Sequence, residues 1–223
     1  MQSIDVARTI TWIALFFLVS GPIHECAHAI TALRLGDGTA KLFGRVSLDP
    51  VVHFDPMGGM LLIVTALLGL ASGGGIAFGW AKPTPVNPYN LRGRYANARV
   101  AAAGPFSNLI LAAVFAAGFR ILYSNWAVWP DNTSALNMLQ LVFVTGVSLN
   151  VVLMLFNLIP IAPLDGSHVL IDLLDPSTGR QVQQFMNQYG LFLLIVIVLF
   201  AGRIIGPFVG SLVNLLIGVN YYL

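Results

Sequence analysis

Five long apolar segments constrain this chain more than any other feature of its sequence. They lie at roughly 8–34, 98–122, 135–160, 186–202 and 204–222. About 20 helical residues cross the roughly 30 Å of hydrocarbon in a bilayer, so each segment is long enough, or nearly so, to span it. Only 9% of the 223 residues are charged, whereas a soluble domain of this size carries about a quarter. The sequence therefore predicts an all-α, polytopic membrane helix bundle that forms one domain, residues 1–223, within a lipid bilayer.

A sixth apolar segment, 58–79, differs from the others because it contains seven glycines. Glycine at this density weakens a helix, so the segment either spans the membrane or is re-entrant, which gives five to six apolar segments. Residues 36–56 alternate apolar and polar residues around Gly and Pro, which favours a small interfacial hairpin or loop. Residues 81–97 are proline-rich and are predicted to form an extended loop.

Charge and cysteine content narrow the possible partners. The formal net charge is +2, and the basic residues form no run with interleaved aromatics, so nucleic acid is not an expected partner. The single cysteine, Cys26, excludes an intrachain disulfide. A single arginine precedes the apolar part of the first segment, and no small-residue cleavage site follows that part. We therefore expect a retained helix rather than a signal peptide.

Two histidines and a glutamate interrupt the first apolar segment, as His24-Glu25-Cys26-Ala27-His28. In a helix, side chains four residues apart share a face, so both imidazoles can reach one zinc ion. Glu25 can then hold and deprotonate a water molecule at that ion. The pattern alone occurs by chance in many proteins, but ionisable side chains inside an apolar helix are costly unless they serve a site. The alternative is that these side chains only pair with polar neighbours inside the bundle.

A catalytic zinc site takes three protein ligands and leaves a fourth position open. Asp165 is the best third ligand, because it follows an apolar helix that ends in Asn-Leu-Ile-Pro-Ile-Ala-Pro-Leu-Asp-Gly, residues 157–166. Pro160 and Pro163 end the helix, and Gly166 allows close backbone approach. Irregular chain at membrane depth is tolerated where protein or a water-filled cavity surrounds it. Taken alone, Asp165 would be an ordinary turn aspartate.

Together these motifs resemble the site-2 protease family of intramembrane zinc metalloproteases. The stretch Gly-Pro-Phe-Ser-Asn at 104–108 and the loop Ala-Lys-Pro-Thr-Pro-Val-Asn-Pro-Tyr-Asn at 81–90 are also similar to that family, the loop to a compact bacterial and archaeal branch. The resemblance implies one Zn²⁺ ion bound by the three residues His24, His28 and Asp165. It also implies that Glu25 is the catalytic base and that Asn157 positions substrate or the oxyanion.

The implied function is hydrolysis of peptide bonds in or near transmembrane segments of membrane proteins, as in regulated intramembrane proteolysis. The inserted peptide-binding domain of larger members is missing, so we expect the membrane core and its loops to select the substrate. Asn108, Asn157 and the 36–56 hairpin are predicted to receive an extended substrate strand. Asn150 either lines the cleft or bonds helix to helix.

Three further groups have less specific interpretations. His168 follows Asp165 by one helical turn and is more simply a surface residue than a partner of the metal ligands. His53 and Asp55 lie in a loop, where an interfacial role is simpler than a second metal site. Cys26 points away from the face that His24 and His28 share, so we expect it to pack.

Convergence of the three ligands constrains the topology. The helices 8–34 and 135–160 must run in the same direction, which requires 58–79 to be re-entrant. Lysines and arginines collect on the cytoplasmic side, and with 58–79 re-entrant they divide 8 against 3, compared with 6 against 5 if it spans. We therefore predict a multi-pass cell-membrane protein with an outside N-terminus and a site nearer the cytoplasmic face.

Two other functions use similar residues. Intramembrane His, Glu and Asp also mark transporters and ion pathways, which often show repeat symmetry between halves; the sequence shows no such repeat. A zinc-binding membrane scaffold without catalysis needs no general base, and Glu25 argues against it.

Overall fold

The described part of the chain, residues 3–71, 77–124 and 134–218 of a computed structural model, is helical and contains no strand. The predicted all-α helix bundle is therefore confirmed. Its α-helices are α1 (Ser3–Leu15), α2 (Gly21–Arg34), α3 (Thr39–Leu42), α4 (Pro50–His53), α5 (Pro56–Ala71), α6 (Ala96–Ser124), α7 (Ser134–Asn157), α8 (Asp165–Leu173), α9 (Pro176–Ile204) and α10 (Gly206–Ile217). A short 3₁₀ turn covers Pro88–Asn90.

Among the described residues, four helical stretches are long and apolar enough to cross a membrane. They are Asp5–Arg34, Ala96–Ser124, Leu136–Asn157 and Pro176–Phe200. The first joins α1 to α2 through a π-helical turn, Phe16–Ser20, in which the Gly21 amide donates to the Phe16 carbonyl. The protein is thus a multi-pass membrane protein, with α5 and α10 as shorter apolar helices.

Helix α6 is the centre of the bundle. It packs most extensively on α7 and also contacts α2, α8 and α10. Its buried face is rich in alanine, including Ala101, Ala112 and Ala116, and small side chains let helix backbones approach closely in membranes. A cluster formed with α7 and α10 around Phe119 and Val147 closes one end of this contact.

Residues 77–82, the next described residues after α5, lie alongside that helix instead of beyond its far end. Sixteen residues of α5 span about 24 Å, less than the hydrocarbon thickness. The Thr65 hydroxyl then bonds both the amide and the carbonyl of Phe78, at 2.8 and 3.0 Å, and the Lys82 amide donates to the His53 carbonyl at 2.8 Å. Residues 77–82 therefore run back to the end of the bundle where α5 begins. Of the two alternatives, the geometry is re-entrant.

The 36–56 segment forms two one-turn helices, α3 and α4, where the sequence favoured a small hairpin or loop. Gly44 has a φ of +67°, and the left-handed residue ends α3 as in many helix C-termini. The Asp49 side chain accepts from the Val51 amide, and Pro50 is the first residue of α4, both standard starting signals. The alternation of apolar and polar residues here reflects these end signals and not strand pairing.

The last two predicted segments are separate helices. Helix α9 begins at Pro176, ten residues before the predicted apolar start, and the chain changes helix at Ile205. Helix α9 contacts α8, whereas α10 packs on α6 and α7. A polar first part of α9 therefore extends the bundle beyond its apolar region.

Candidate metal centre

Three side-chain atoms converge at one point between α2, α6 and the start of α8. The Nε2 atoms of His24 and His28 are 3.1 Å apart. Asp165 Oδ2 lies 3.3 Å from the first and 3.4 Å from the second. Ligands about 2.0–2.1 Å from a tetrahedral zinc ion lie about 3.3–3.4 Å from one another. Among the described residues, no other group of His, Cys, Asp and Glu gathers in this way.

The second ring nitrogen of each histidine fixes its orientation. His24 Nδ1 lies 2.6 Å from Asn108 Oδ1, and the Asn108 amide nitrogen donates to Asn150 Oδ1 at 2.9 Å. His28 Nδ1 lies 2.7 Å from the Val100 carbonyl. Both partners are acceptors, so each Nδ1 carries the proton and each Nε2 presents a lone pair. This outer support is typical of metal-binding histidines.

The three lone pairs fit a cation. Asp165 Oδ2 is buried and accepts no hydrogen bond, although a buried carboxylate oxygen without a partner is costly. With two imidazole lone pairs and a carboxylate oxygen facing one another, a divalent ion with a preference for nitrogen and oxygen ligands would relieve both the repulsion and the missing bond. The donor set suits zinc and leaves room for a fourth ligand.

Gly104 allows α6 to approach the two imidazoles. A Cβ atom at this position would lie 2.4 Å from His28 Nε2 and 2.6 Å from His24 Nε2. Any side chain here would therefore displace the ligands. From the sequence, Gly104 was noted only within the family resemblance. The local signal for its role is a glycine directly before a proline in an alanine-rich helix.

Asp165 is presented by a short irregular connection. Helix α7 ends at Asn157, and Asp165 is the first residue of α8. A Cβ atom on Gly166 would lie 2.3 Å from the Leu158 carbonyl oxygen, so the glycine lets the start of α8 pack on the end of α7. The predicted helix break and close backbone approach are both present.

Glu25 is held by the extended segment that follows α5, whereas the two histidines are held by α6. Its Oε2 accepts from the Thr84 amide at 2.7 Å, and the Thr84 hydroxyl donates to the Glu25 carbonyl at 2.9 Å. Thr84 belongs to the extended segment 77–87, which follows the re-entrant helix. In the described part of the chain no hydrogen bond engages Glu25 Oε1. One carboxylate oxygen is thus fixed and the other is available.

A cleft of about 1740 Å³ reaches this centre. His24, Glu25, His28 and Asp165 line one region of it, and apolar side chains of α1, α5 and α9 form its walls. Asn157 also lines the cleft, with its amide nitrogen bonded to the Leu153 carbonyl. A water-accessible polar centre is therefore joined to an apolar groove.

Asn108 does not lie where the substrate prediction requires. It is fully buried and both ends of its amide are engaged, by His24 and by Asn150. Asn150 is also fully buried and donates to the Gly146 carbonyl at 2.8 Å. Both residues thus support the histidine from behind, and Asn150 bonds helix to helix instead of lining the cleft.

The other polar residues that the structure describes form no second centre. His168 is exposed at the cleft. His53 is buried, with Nε2 bonded to the Ser47 carbonyl, while Asp55 Oδ1 accepts from the Gly58 amide at the start of α5. Cys26 is buried.

Several known proteins are similar in sequence to this chain over most of its length. The profile described as Peptidase family M50 matches residues 120–201. "Putative zinc metalloprotease YwhC" of Bacillus subtilis is 37% identical over 188 residues, which cover 83% of this chain and 79% of that protein. "Putative zinc metalloprotease Rip2" of Mycolicibacterium smegmatis is 31% identical over 87% of this chain and 71% of its own length, and its namesake in Mycobacterium tuberculosis is 30% identical over 89% and 71%. No solved structure matches the chain.

Proposed function

The chain belongs to peptidase family M50, the site-2 protease family, and from this premise we propose that it hydrolyses peptide bonds in or beside the transmembrane segments of other membrane proteins. As a member of that family it is a zinc metalloprotease. The observation that carries the proposal is the convergence of two imidazoles and a carboxylate beside Glu25, between apolar helices and at the end of a cleft. The whole of residues 1–223 acts in this proposal as one membrane domain.

His24, His28 and Asp165 would hold one zinc ion through the three converging atoms. When bound there, zinc supplies a Lewis acid and brings the pKa of a coordinated water toward about 7. The chain's own contribution is a rigid ligand set, because each imidazole is anchored at Nδ1 and Asp165 is fixed at a helix start.

Glu25 is the proposed general base. With Oε2 held by the Thr84 amide, Oε1 is the atom that accepts the proton as a water oxygen bonds to the scissile carbonyl carbon. When the carbon–nitrogen bond breaks, Glu25 returns that proton to the departing amine nitrogen. One carboxylate therefore serves both proton transfers while its orientation stays fixed.

A substrate helix must unwind before cleavage, because its carbonyls are occupied by its own hydrogen bonds. The extended segment 77–87 lines the cleft beside the centre. Within the described chain, no hydrogen bond engages the main chain of residues 79–81. This edge suits main-chain pairing with an extended peptide, with Asn157 nearby to orient it. It takes the place of 36–56 in the prediction, since that segment forms two one-turn helices joined by turns and offers no extended edge.

The proposed orientation puts the centre nearer the cytoplasmic face. The re-entrant geometry brings the 36–56 and 81–97 regions to one end of the bundle, where most lysines and arginines then lie, as on cytoplasmic surfaces. Reporter fusions at residues 50 and 90 should both report the cytoplasm. Fusions that land on opposite sides would overturn this topology.

The decisive experiment compares the wild type with Glu25→Gln on a panel of single-pass membrane proteins, with zinc measured in both. We expect about one zinc per chain in each protein and a loss of cleavage of about 100-fold or more in the variant, the scale of general acid–base catalysis. A transporter would show no cleavage by either protein. If both bind zinc and cleave alike, the proposal is wrong.

A further inference from the structure

A buried arginine lies behind the segment that holds Glu25. We propose that Arg45 is a positioning residue for catalysis, which fixes the Glu25 carboxylate by clamping the main chain of residues 82–84. The inference rests on the proposed protease function, because it assigns Glu25 the role of base. It adds to that function a part for a buried side chain of the 36–56 region.

Three consecutive links join Arg45 to Glu25. Arg45 Nη2 donates to the carbonyls of Lys82 and Pro83, the second at 2.9 Å. The next residue is Thr84, whose amide and hydroxyl both bond Glu25. The guanidinium thus holds the peptide units directly before the donor, so a shift of Arg45 would shift the Thr84 amide.

The charge of Arg45 supports a functional role over a purely stabilising one. The residue is only 4% exposed, and its Nη1 is buried without a hydrogen-bond partner. Burial lowers the pKa of the Arg45 guanidinium, and the negative charge of Glu25 opposes that shift. A buried cation with an unsatisfied donor is a poor source of stability, since apolar replacements often do as well. Its effect on the site passes through the main chain of residues 82–84, which holds the Glu25 carboxylate.

Local sequence fixes where Arg45 stands. The Gly44 amide bonds the Lys41 carbonyl at 3.0 Å, and the Arg45 amide bonds the Ala40 carbonyl at 2.8 Å. This pair of bonds around a left-handed glycine is a Schellman motif. The backbone of Arg45 is therefore locked to α3, and its side chain reaches the 82–84 segment from a rigid base.

The test uses a double-mutant cycle on the purified, zinc-loaded full chain. The variants are Arg45→Met, Thr84→Pro, which removes the amide donor, and the two combined, with Arg45→Lys as the conservative variant. We expect Arg45→Met to keep its zinc and to lower kcat roughly 10- to 100-fold with KM unchanged, as for a small misplacement of a catalytic group. Arg45→Lys should recover only part of kcat, since it retains the charge but its shorter side chain cannot place a donor where Nη2 lies. The combined variant should be no worse than Thr84→Pro alone, because residues that act in series are not additive.

Several outcomes would overturn the proposal. They are an unchanged kcat in Arg45→Met, a change confined to KM, a loss of activity that follows loss of zinc, or effects of the two substitutions that multiply. If Arg45→Met does not fold, Arg45→Lys decides, and wild-type kcat in that variant counts against the proposal.

Hydrogen exchange separates this inference from the protease function. In the absence of substrate, the Thr84 amide should exchange faster in Arg45→Met and Arg45→Lys than in the wild type, and equal exchange would refute the clamp. A wild type that cleaves no better than Glu25→Gln refutes the protease function instead.

Discussion

The two candidate zinc-binding histidines and the proposed base are neighbours on α2, yet different kinds of structure support them. His24 and His28 are hydrogen-bonded to α6, through the Asn108 side chain and the Val100 carbonyl. Glu25 is hydrogen-bonded to an extended segment outside the helices, through the Thr84 amide. Helix packing satisfies its own backbone at membrane depth, whereas irregular chain is tolerated there only beside protein or a water-filled cavity. The comparison indicates that metal affinity and reactivity can be altered separately.

Gly104→Ala should have the largest effect on His24 and His28, the histidines that α6 supports. The new Cβ would overlap both imidazoles, so we expect zinc affinity to fall by about 100-fold or more, at or beyond the upper end for changes around metal ligands. Zinc titration of the purified protein measures it. The matched control is Gly38→Ala, where a Cβ meets nothing within 4 Å; an equal loss in the control would show that the close approach of α6 is not the cause.

Asn108→Ala should lower zinc affinity less than Gly104→Ala does. It removes the acceptor for His24 Nδ1 but leaves both imidazoles in place, so zinc affinity should fall about 10- to 100-fold. Asn157→Ala is the comparison, since its amide bonds only its own helix in the described structure and zinc affinity should not change. Equal affinities in the two variants would contradict the supporting role of Asn108.

Asp37→Asn should produce the smallest effect, a loss of stability in the extended region that supports Glu25. The buried Asp37 carboxylate accepts from Asn87, Asn90 and Thr39, which ties the start of α3 to the end of the 77–90 region. Losing such a network costs about 1–3 kcal/mol of unfolding free energy. Zinc affinity should stay close to that of the wild type.

The effect of Asp37→Asn should also depend on pH. Burial acts to raise the pKa of Asp37, but the hydrogen bonds from Thr39, Asn87 and Asn90 outweigh it, so the pKa is lowered on folding. The stabilisation is therefore present above the unfolded pKa of about 3.9 and is lost as pH falls through the lower folded value. Thermal unfolding of zinc-free protein at pH 7 and near pH 3 measures it. A stability difference that persists unchanged at low pH would contradict this origin.

Sequence patterns predicted the bundle and the convergence of His24, His28 and Asp165 because both depend on signals that the chain carries locally. Apolar length marks the spans, four-residue spacing marks a shared helical face, and proline with glycine marks the break before Asp165. The role of Asn108 could not be predicted in this way. Helix α6 is apolar around much of its circumference, so its sequence does not encode which side faces α2.

The support of Glu25 was out of reach for a related reason. Thr84 and Arg45 lie 59 and 20 residues from Glu25 in the sequence, in segments outside the long apolar helices. The alternating pattern of 36–56 suggested pairing, whereas Gly44 and Asp49 end and start short helices there. Contacts between irregular segments depend on tertiary packing, which no local pattern specifies.

The π-helical turn Phe16–Ser20 has a consequence for the angular phase of the first span. One extra residue in a turn rotates everything that follows by about 100°, the angle per residue of an α-helix. The part before the turn contacts α5 and α7, and the part after it contacts α6. A chain with one residue fewer at 16–20 would keep its motif, but His24 and His28 would point away from Asp165. In this protein, the count of apolar residues before the motif matters as much as the motif.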